Sequence, residues 1–228
     1  MTTMSRDQLI SAIRKDLKVT LDSKKSWDTL VRYFDKDHHV RYMDGWNLIE
    51  KHINGSELSA LEVGPFPFFT YPLFKAFNWT IKCIGLDTNG DYLIPDTNIF
   101  LTWGNLCYDD LGVNRYDFIV CTEVLEHLPC NLVVVRDKLI KALKPGGFML
   151  ISYPLGGNRV GNYNKDLEAD YFIVHDHLRE FTVGKARLFF NETPMQKIDE
   201  AVSHPIAYPV GILQILYTKT DSPILSCT

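Results

Sequence analysis

A chain of 228 residues, 46% hydrophobic and 23% charged, is long enough to bury a full core and has the proportions of a folded globular protein rather than a disordered one. Its net charge of −4, with both signs interspersed, excludes the broad basic footprint of a nucleic-acid surface. No apolar run approaches the ~20 residues that a membrane span requires.

Met1 to Asp7 lack the apolar core of a signal peptide. The five cysteines (Cys83, Cys107, Cys121, Cys130 and Cys227) include no C-x-x-C pair, and their number is odd. Reduced thiols in a cytoplasmic protein are the simplest expectation.

In chain order, residues 5–18 read as a helix with Ser5 as N-cap and Leu9, Ile10, Ile13 and Leu17 on one face. A second helix is expected at 26–37 with Trp27, Leu30, Val31 and Phe34 as its stripe. A third, at 39–53, carries Tyr42, Trp46, Ile49 and Ile53 and stops at Asn54-Gly55. Residues 1–56 thus form an expected helical cap, and Tyr33 and Tyr42 in it suit packing better than ligand contact. From residue 57 onward strands and helices alternate. Strands are expected at 58–63, 80–86, 99–103, 116–121 and 148–152. A helix runs from about Phe69 to Phe77, and another from 131 to 143. That alternation implies an α/β domain with a parallel, doubly wound sheet. A long polar and aromatic segment, 154–182, reads as a lid. After a helix near 182–191, strand-like runs at 196–203 and 209–218 suggest an antiparallel pair at one sheet edge. The expected sheet has seven strands, mostly parallel, with that terminal hairpin.

The run ending in Glu62-Val63-Gly64, followed by a second strand that ends in Asp87, is the strand–turn–helix–strand–acid order with which such domains bind a nucleoside. Phe66 and Phe69 stand where G-x-G-x-x-G wants glycine, and Pro65 and Pro67 remove two backbone donors. A pyrophosphate cradle needs those N–H groups, so the expected ligand is a nucleoside without phosphates.

Leu61-Glu62-Val63-Gly64, Gly85-Leu86-Asp87, Trp103-Gly104-Asn105-Leu106, the run from Tyr116 to Leu128 and Leu143-Lys144-Pro145-Gly146-Gly147-Phe148 together resemble the class I S-adenosylmethionine-dependent methyltransferases of small-molecule type. The resemblance covers about residues 58–153. It implies S-adenosyl-L-methionine as cofactor, with Glu62 and Gly64 bordering its methionine part and Asp87 taking both ribose hydroxyls. Asn105 would accept from the adenine amino group, Leu106 would supply a backbone contact to the ring, and Thr122 and Glu123 would stand near the reacting centre. The implied reaction is in-line attack by an oxygen or nitrogen of a small acceptor, such as a sugar or secondary metabolite, on the sulfonium methyl. The protein then has to align the nucleophile, exclude water and accept a proton.

His127, His175 and His177 are the candidate proton acceptors, since histidine titrates near neutral pH. Glu123, Glu126 and His127 stand at i, i+3 and i+4, so one helical face can present all three. The plain reading is a helix start with acids favoured by the dipole and a packed histidine. The sharper one is a metal site completed by His175 or His177, which methyltransferases of small-RNA 3′ ends resemble locally; no metal is expected to be obligatory. Two rivals accompany the small-molecule reading: a metal-dependent RNA 2′-O-methyltransferase, and a non-catalytic binding protein of the same fold. Oligomeric state is not legible in the sequence.

Overall fold

The computed structural model describes residues 39–53, 57–64, 70, 80–85, 92–93, 99–155, 178–204 and 211–221. Its elements in order are α1 (His39–His52), β1 (Ser59–Val63), β2 (Thr80–Gly85), β3 (Tyr92–Leu93), β4 (Ile99–Trp103) and β5 (Tyr116–Thr122), then α2 (Leu132–Ala142), β6 (Leu143–Pro154), α3 (Val183–Leu188), β7 (Met195–Ser203) and β8 (Ile212–Lys219). The strands form one sheet in the order β3-β4-β2-β1-β5-β6-β8-β7. The pairs β4–β2, β2–β1, β1–β5 and β5–β6 are parallel, whereas β6–β8 and β8–β7 are antiparallel. The seven expected strands and the terminal hairpin are present. An eighth, the two-residue β3, pairs antiparallel with β4. The helices expected at 5–18, 26–37 and 69–77 lie outside the described residues.

Side-chain alternation along the strands divides the core into two layers. Leu61, Val63, Ile119, Cys121, Met149, Ile151, Leu213, Ile215 and Tyr217 face Val135, Leu139, Ile140 and Ala142 of α2 and Ala186 of α3. Asn131 starts α2 by accepting from the Val133 N–H at 2.9 Å, a cap that contributes about 1 kcal/mol. At its far end Lys219 Nζ donates to the carbonyls of Ile140 and Leu143, which the helix itself leaves without partners.

The opposite layer involves α1, which packs against β7 and β8. Tyr42, Trp46 and Ile49 recur at i, i+4 and i+7 and are all buried, with Tyr42 and Trp46 edge to face at 5.8 Å. Tyr42 is therefore a packing residue. The helix is also pinned by polar contacts. Gln214 Nε2 donates to the Arg41 carbonyl at 2.7 Å, Ser203 Oγ donates to Asp44 at 2.5 Å, and Asp199 takes both Lys51 Nζ at 2.6 Å and His52 Nε2 at 2.9 Å.

One expectation is overturned. Cys107 and Cys130 form a disulfide, so the thiols are not all reduced, and the cysteine argument for a reducing compartment falls away. Their spacing could not reveal this, because β5 separates them in sequence and only the fold brings the turn after β4 to the segment that follows β5. Closing a loop across 23 positions contributes about 3 kcal/mol in the chain-entropy account. No helix among the described residues is long and apolar enough to cross a membrane.

The Asp199 carboxyl is held below the usual range by its bonds from Lys51 and His52 and from the Glu200 N–H. A carboxylate whose folded pKa is depressed stabilises the fold above its unfolded pKa and loses that contribution as pH falls through the lower folded value. Melting curves are therefore expected to show wild type losing more stability than Asp199→Asn between neutral pH and pH about 3. Equal losses in the two proteins would show that Asp199 does not anchor α1.

Candidate active site

The order of the strands reverses beside β1. The chain goes outward from β1 to β2 and β4, then returns to place β5 on the other side of β1. At such a switch point the connections leave the sheet in opposite directions, and the carboxyl ends of the two central strands open a crevice. Both tips here leave the sheet in the left-handed region: Gly64, after β1, has φ +65°, and Glu123, after β5, has φ +56°. A Cβ on Gly64 would lie 2.6 Å from Val124 Cγ2, so only glycine lets the two tips approach this closely.

Glu62, expected beside the ligand, is buried and turned to a neighbouring segment. Its Oε2 accepts from the Thr70 N–H at 3.0 Å and also from the Thr70 hydroxyl. It thus ties Thr70 back to the strand.

Glu123 carries the least expected geometry. A non-glycine residue in the left-handed region costs about 1 kcal/mol or more, and Ser152 on β6 offsets it. Ser152 Oγ accepts from the Glu123 N–H at 2.9 Å and donates to Glu123 Oε1 at 2.6 Å. Pairing of Thr122 with Ser152, and of Ser152 with Gln214, lines these polar side chains up across β5, β6 and β8, on the layer to which α1 belongs. Burial raises the Glu123 carboxyl above its usual range. The Arg41 guanidinium, the Ser152 hydroxyl and His127 pull it back.

Glu126 and His127 do not share a helical face with Glu123. They belong to a single 3-10 turn, Leu125–His127, that begins after the left-handed residue. His127 Nε2 lies 3.6 Å from Glu126 Oε1. The Glu126 charge acts on Cys121, whose thiol burial pushes far up, on the layer covered by α2. Within the run, His127 thus acts on Glu123 while Glu126 acts on Cys121. Among the described residues no group of three or more His, Cys, Asp or Glu side chains is placed to hold a metal.

The loop after β4 holds Asn105 and Leu106. Asn105 Oδ1 accepts from the Cys107 N–H at 3.0 Å, and its own N–H donates to Asp109 at 2.6 Å. Its amide oxygen therefore first closes its own turn, leaving one lone pair for another donor. Leu106 is buried, and Lys138 from α2 donates to the Leu106 and Cys107 carbonyls. Thr122 is buried at the end of β5. Asp87, His175 and His177 lie outside the described residues. Leu155 and Phe181 bridge in parallel, so the two ends of the expected lid stand side by side.

Sequence reading missed Arg41 and Ser152. Arg41 is buried at the start of α1, and its charge reaches Glu123. Arg41 stands one position before the stripe that begins at Tyr42, so the spacing gave no signal for it. Ser152 gave none, as any strand may end in serine.

This sheet order, with its switch point and terminal hairpin, defines a Rossmann-like α/β domain of the class I methyltransferase type. A family model described as "Methyltransferase domain" matches residues 55–186, and the chain belongs to that family. Solved structures share the fold at low identity. The 1,6-didemethyltoxoflavin-N1-methyltransferase of Burkholderia thailandensis, solved with 1,6-didemethyltoxoflavin and S-adenosylhomocysteine, is 14% identical, with TM-score 0.62 over 95% of this chain and 91% of its own. A protein of Galdieria sulphuraria, provisionally named a sarcosine dimethylglycine methyltransferase, is 17% identical, with TM-score 0.58 over 78% of this chain and 85% of its own. The [4+2]-cyclase SpnF also shares the fold, at 10% identity and TM-score 0.58 over 78% of this chain and 80% of its own. No curated protein matches the chain.

Ser152→Ala is expected to lift the Glu123 titration further, because the hydroxyl lowers that pKa while burial raises it. Carbonyl 13C titration should show the midpoint moving up, with a destabilisation of about 1–3 kcal/mol for the orphaned partners. An unmoved midpoint would show that the serine does not hold the carboxylate.

Proposed function

We propose that this methyltransferase moves the sulfonium methyl of S-adenosyl-L-methionine to an oxygen or nitrogen of a small molecule, within a catalytic domain spanning residues 57–228 under a lid at 154–182. The observation that carries the reading is the pair of left-handed tips at the switch point, Gly64 and Glu123, beside the buried Arg41. Residues at this crevice fit an adenosyl amino acid. The close approach at Gly64 leaves backbone rather than side chain at the β1 tip, and the Arg41 cation suits the carboxylate of an amino acid. Asp87 suits the ribose hydroxyls, and the turn at Asn105 and Leu106 suits the adenine edge. When bound, the cofactor supplies a methyl carbon already activated by positive sulfur.

The chain's own residues then have three tasks. Glu62 holds Thr70 against the end of β1. Ser152 orients Glu123, which together with Thr122 borders the place where β5 ends. Glu123, His127, or His175 and His177 of the lid segment, take up the proton that an attacking hydroxyl or amine releases. The Burkholderia enzyme, solved with 1,6-didemethyltoxoflavin, supports a small acceptor. The net charge of −4 argues in the same direction.

Calorimetric titration with S-adenosylhomocysteine is expected to show saturable binding that Asp87→Ala or Arg41→Ala weakens by tenfold or more, about 1.4 kcal/mol or above. Methyl-labelled S-adenosylmethionine offered with a panel of hydroxyl- and amine-bearing small molecules should label at least one of them, with chelator present or absent. No binding at millimolar concentration would favour the non-catalytic alternative. Labelling confined to RNA and abolished by chelator would favour the metal-dependent one.

A further inference from the structure

The Cys107–Cys130 bond joins two loops at the carboxyl edge of the sheet: the turn after β4 that holds Asn105 and Leu106, and the segment that leads into the Asn131 cap of α2. We propose that this disulfide is a thiol-exchange site, opened by a dithiol reductant at Cys130, and that opening it loosens the Asn105–Cys107 turn and lowers affinity for the adenosyl group. The inference rests on the reading above that sets adenine against that turn.

Three features support it. Access is uneven: Cys107 is buried, Cys130 is half-buried, and their neighbours Tyr108 and Pro129 are exposed, so a small thiol reaches Cys130 first. Cys121 is fully buried with its thiol pushed far up, and takes no part. Positive charge stands on both sides of the bond. Arg179 donates to the carbonyls of Leu128 and Cys130, and Lys138 donates to those of Leu106 and Cys107 at 3.3 and 2.9 Å. Cations beside a cysteine favour its thiolate and so favour bond breaking. The same contacts survive reduction and keep the loops near each other, so the bond can form again. Finally, the bond is the one covalent cross-link on the turn among the described residues. Without it the turn after β4 is held to α2 by the Lys138 contacts and the burial of Leu106 and Leu111.

The exchange balances. A thiolate of the dithiol attacks Cys130 Sγ, and the Cys107–Cys130 bond breaks. Cys107 leaves as a thiolate and takes a proton from solvent. The second thiol of the reductant then attacks its own sulfur in the mixed disulfide, freeing Cys130 and closing the reductant's disulfide. Two electrons pass from the dithiol to the protein, and a disulfide such as oxidised glutathione reverses the process.

The test uses the full chain, with S-adenosylhomocysteine as probe, titrated calorimetrically well below the melting temperature before and after dithiothreitol. Thiols are identified by alkylation and mass spectrometry. The expected result is two new thiols, at Cys107 and Cys130, and a dissociation constant raised about tenfold, within the usual range for coupled sites. Affinity should return on treatment with oxidised glutathione. A Cys107→Ser/Cys130→Ser variant should hold the reduced-form affinity under every treatment. Should that variant not fold, the reduction and reoxidation of wild type still decide the matter. Equal affinity in the two redox forms, a bond that resists excess dithiothreitol in the folded protein, or purified protein with both thiols free would each overturn the proposal. Binding to neither form would instead overturn the cofactor reading beneath it.

Discussion

The reciprocal hydrogen bonds between Ser152 and Glu123 are the constraint on which the site depends. They cross from the end of β6 to the residue after β5 and hold that residue where few side chains will stay. Because Glu123 turns left-handed, the chain breaks away from the sheet before the 3-10 turn begins. That break sets Val124 against Gly64 at the tip of β1.

The antiparallel edge of the sheet serves this arrangement at a distance. Strand β8 brings Gln214 beside Ser152, and Gln214 donates to the Arg41 carbonyl. The start of α1 is thereby fixed, and with it the buried guanidinium that acts on Glu123. Asp199, Lys51 and His52 fix the other end of the same helix. The helix read from sequence as part of a cap is thus built into the sheet's outer layer. Its packing and its charge placement cannot be separated.

On the opposite layer, α2 plays a comparable part. It packs on the sheet through Val135 and Leu139, and Lys138 reaches the turn after β4. The disulfide ties the same turn to the residue before the α2 cap. The two loops at the strand ends are thus anchored from one helix by charge, burial and a covalent bond.

Strand positions, the parallel order and the terminal hairpin were legible in the sequence, because apolar runs of strand length alternating with helical stripes admit few other arrangements. Gly64 was legible too, since a glycine after a strand of this kind marks a turn that other residues resist. The sequence could not say where Glu123 points. A spacing of i, i+3 and i+4 unites three side chains only on an uninterrupted helix, and the left-handed residue at Glu123 interrupts it. Nor could it pair Ser152 with Glu123, Arg41 with the β5 tip, or Cys107 with Cys130. Each of those contacts joins residues far apart along the chain, and only the stacking of strands side by side decides which distant residues become neighbours.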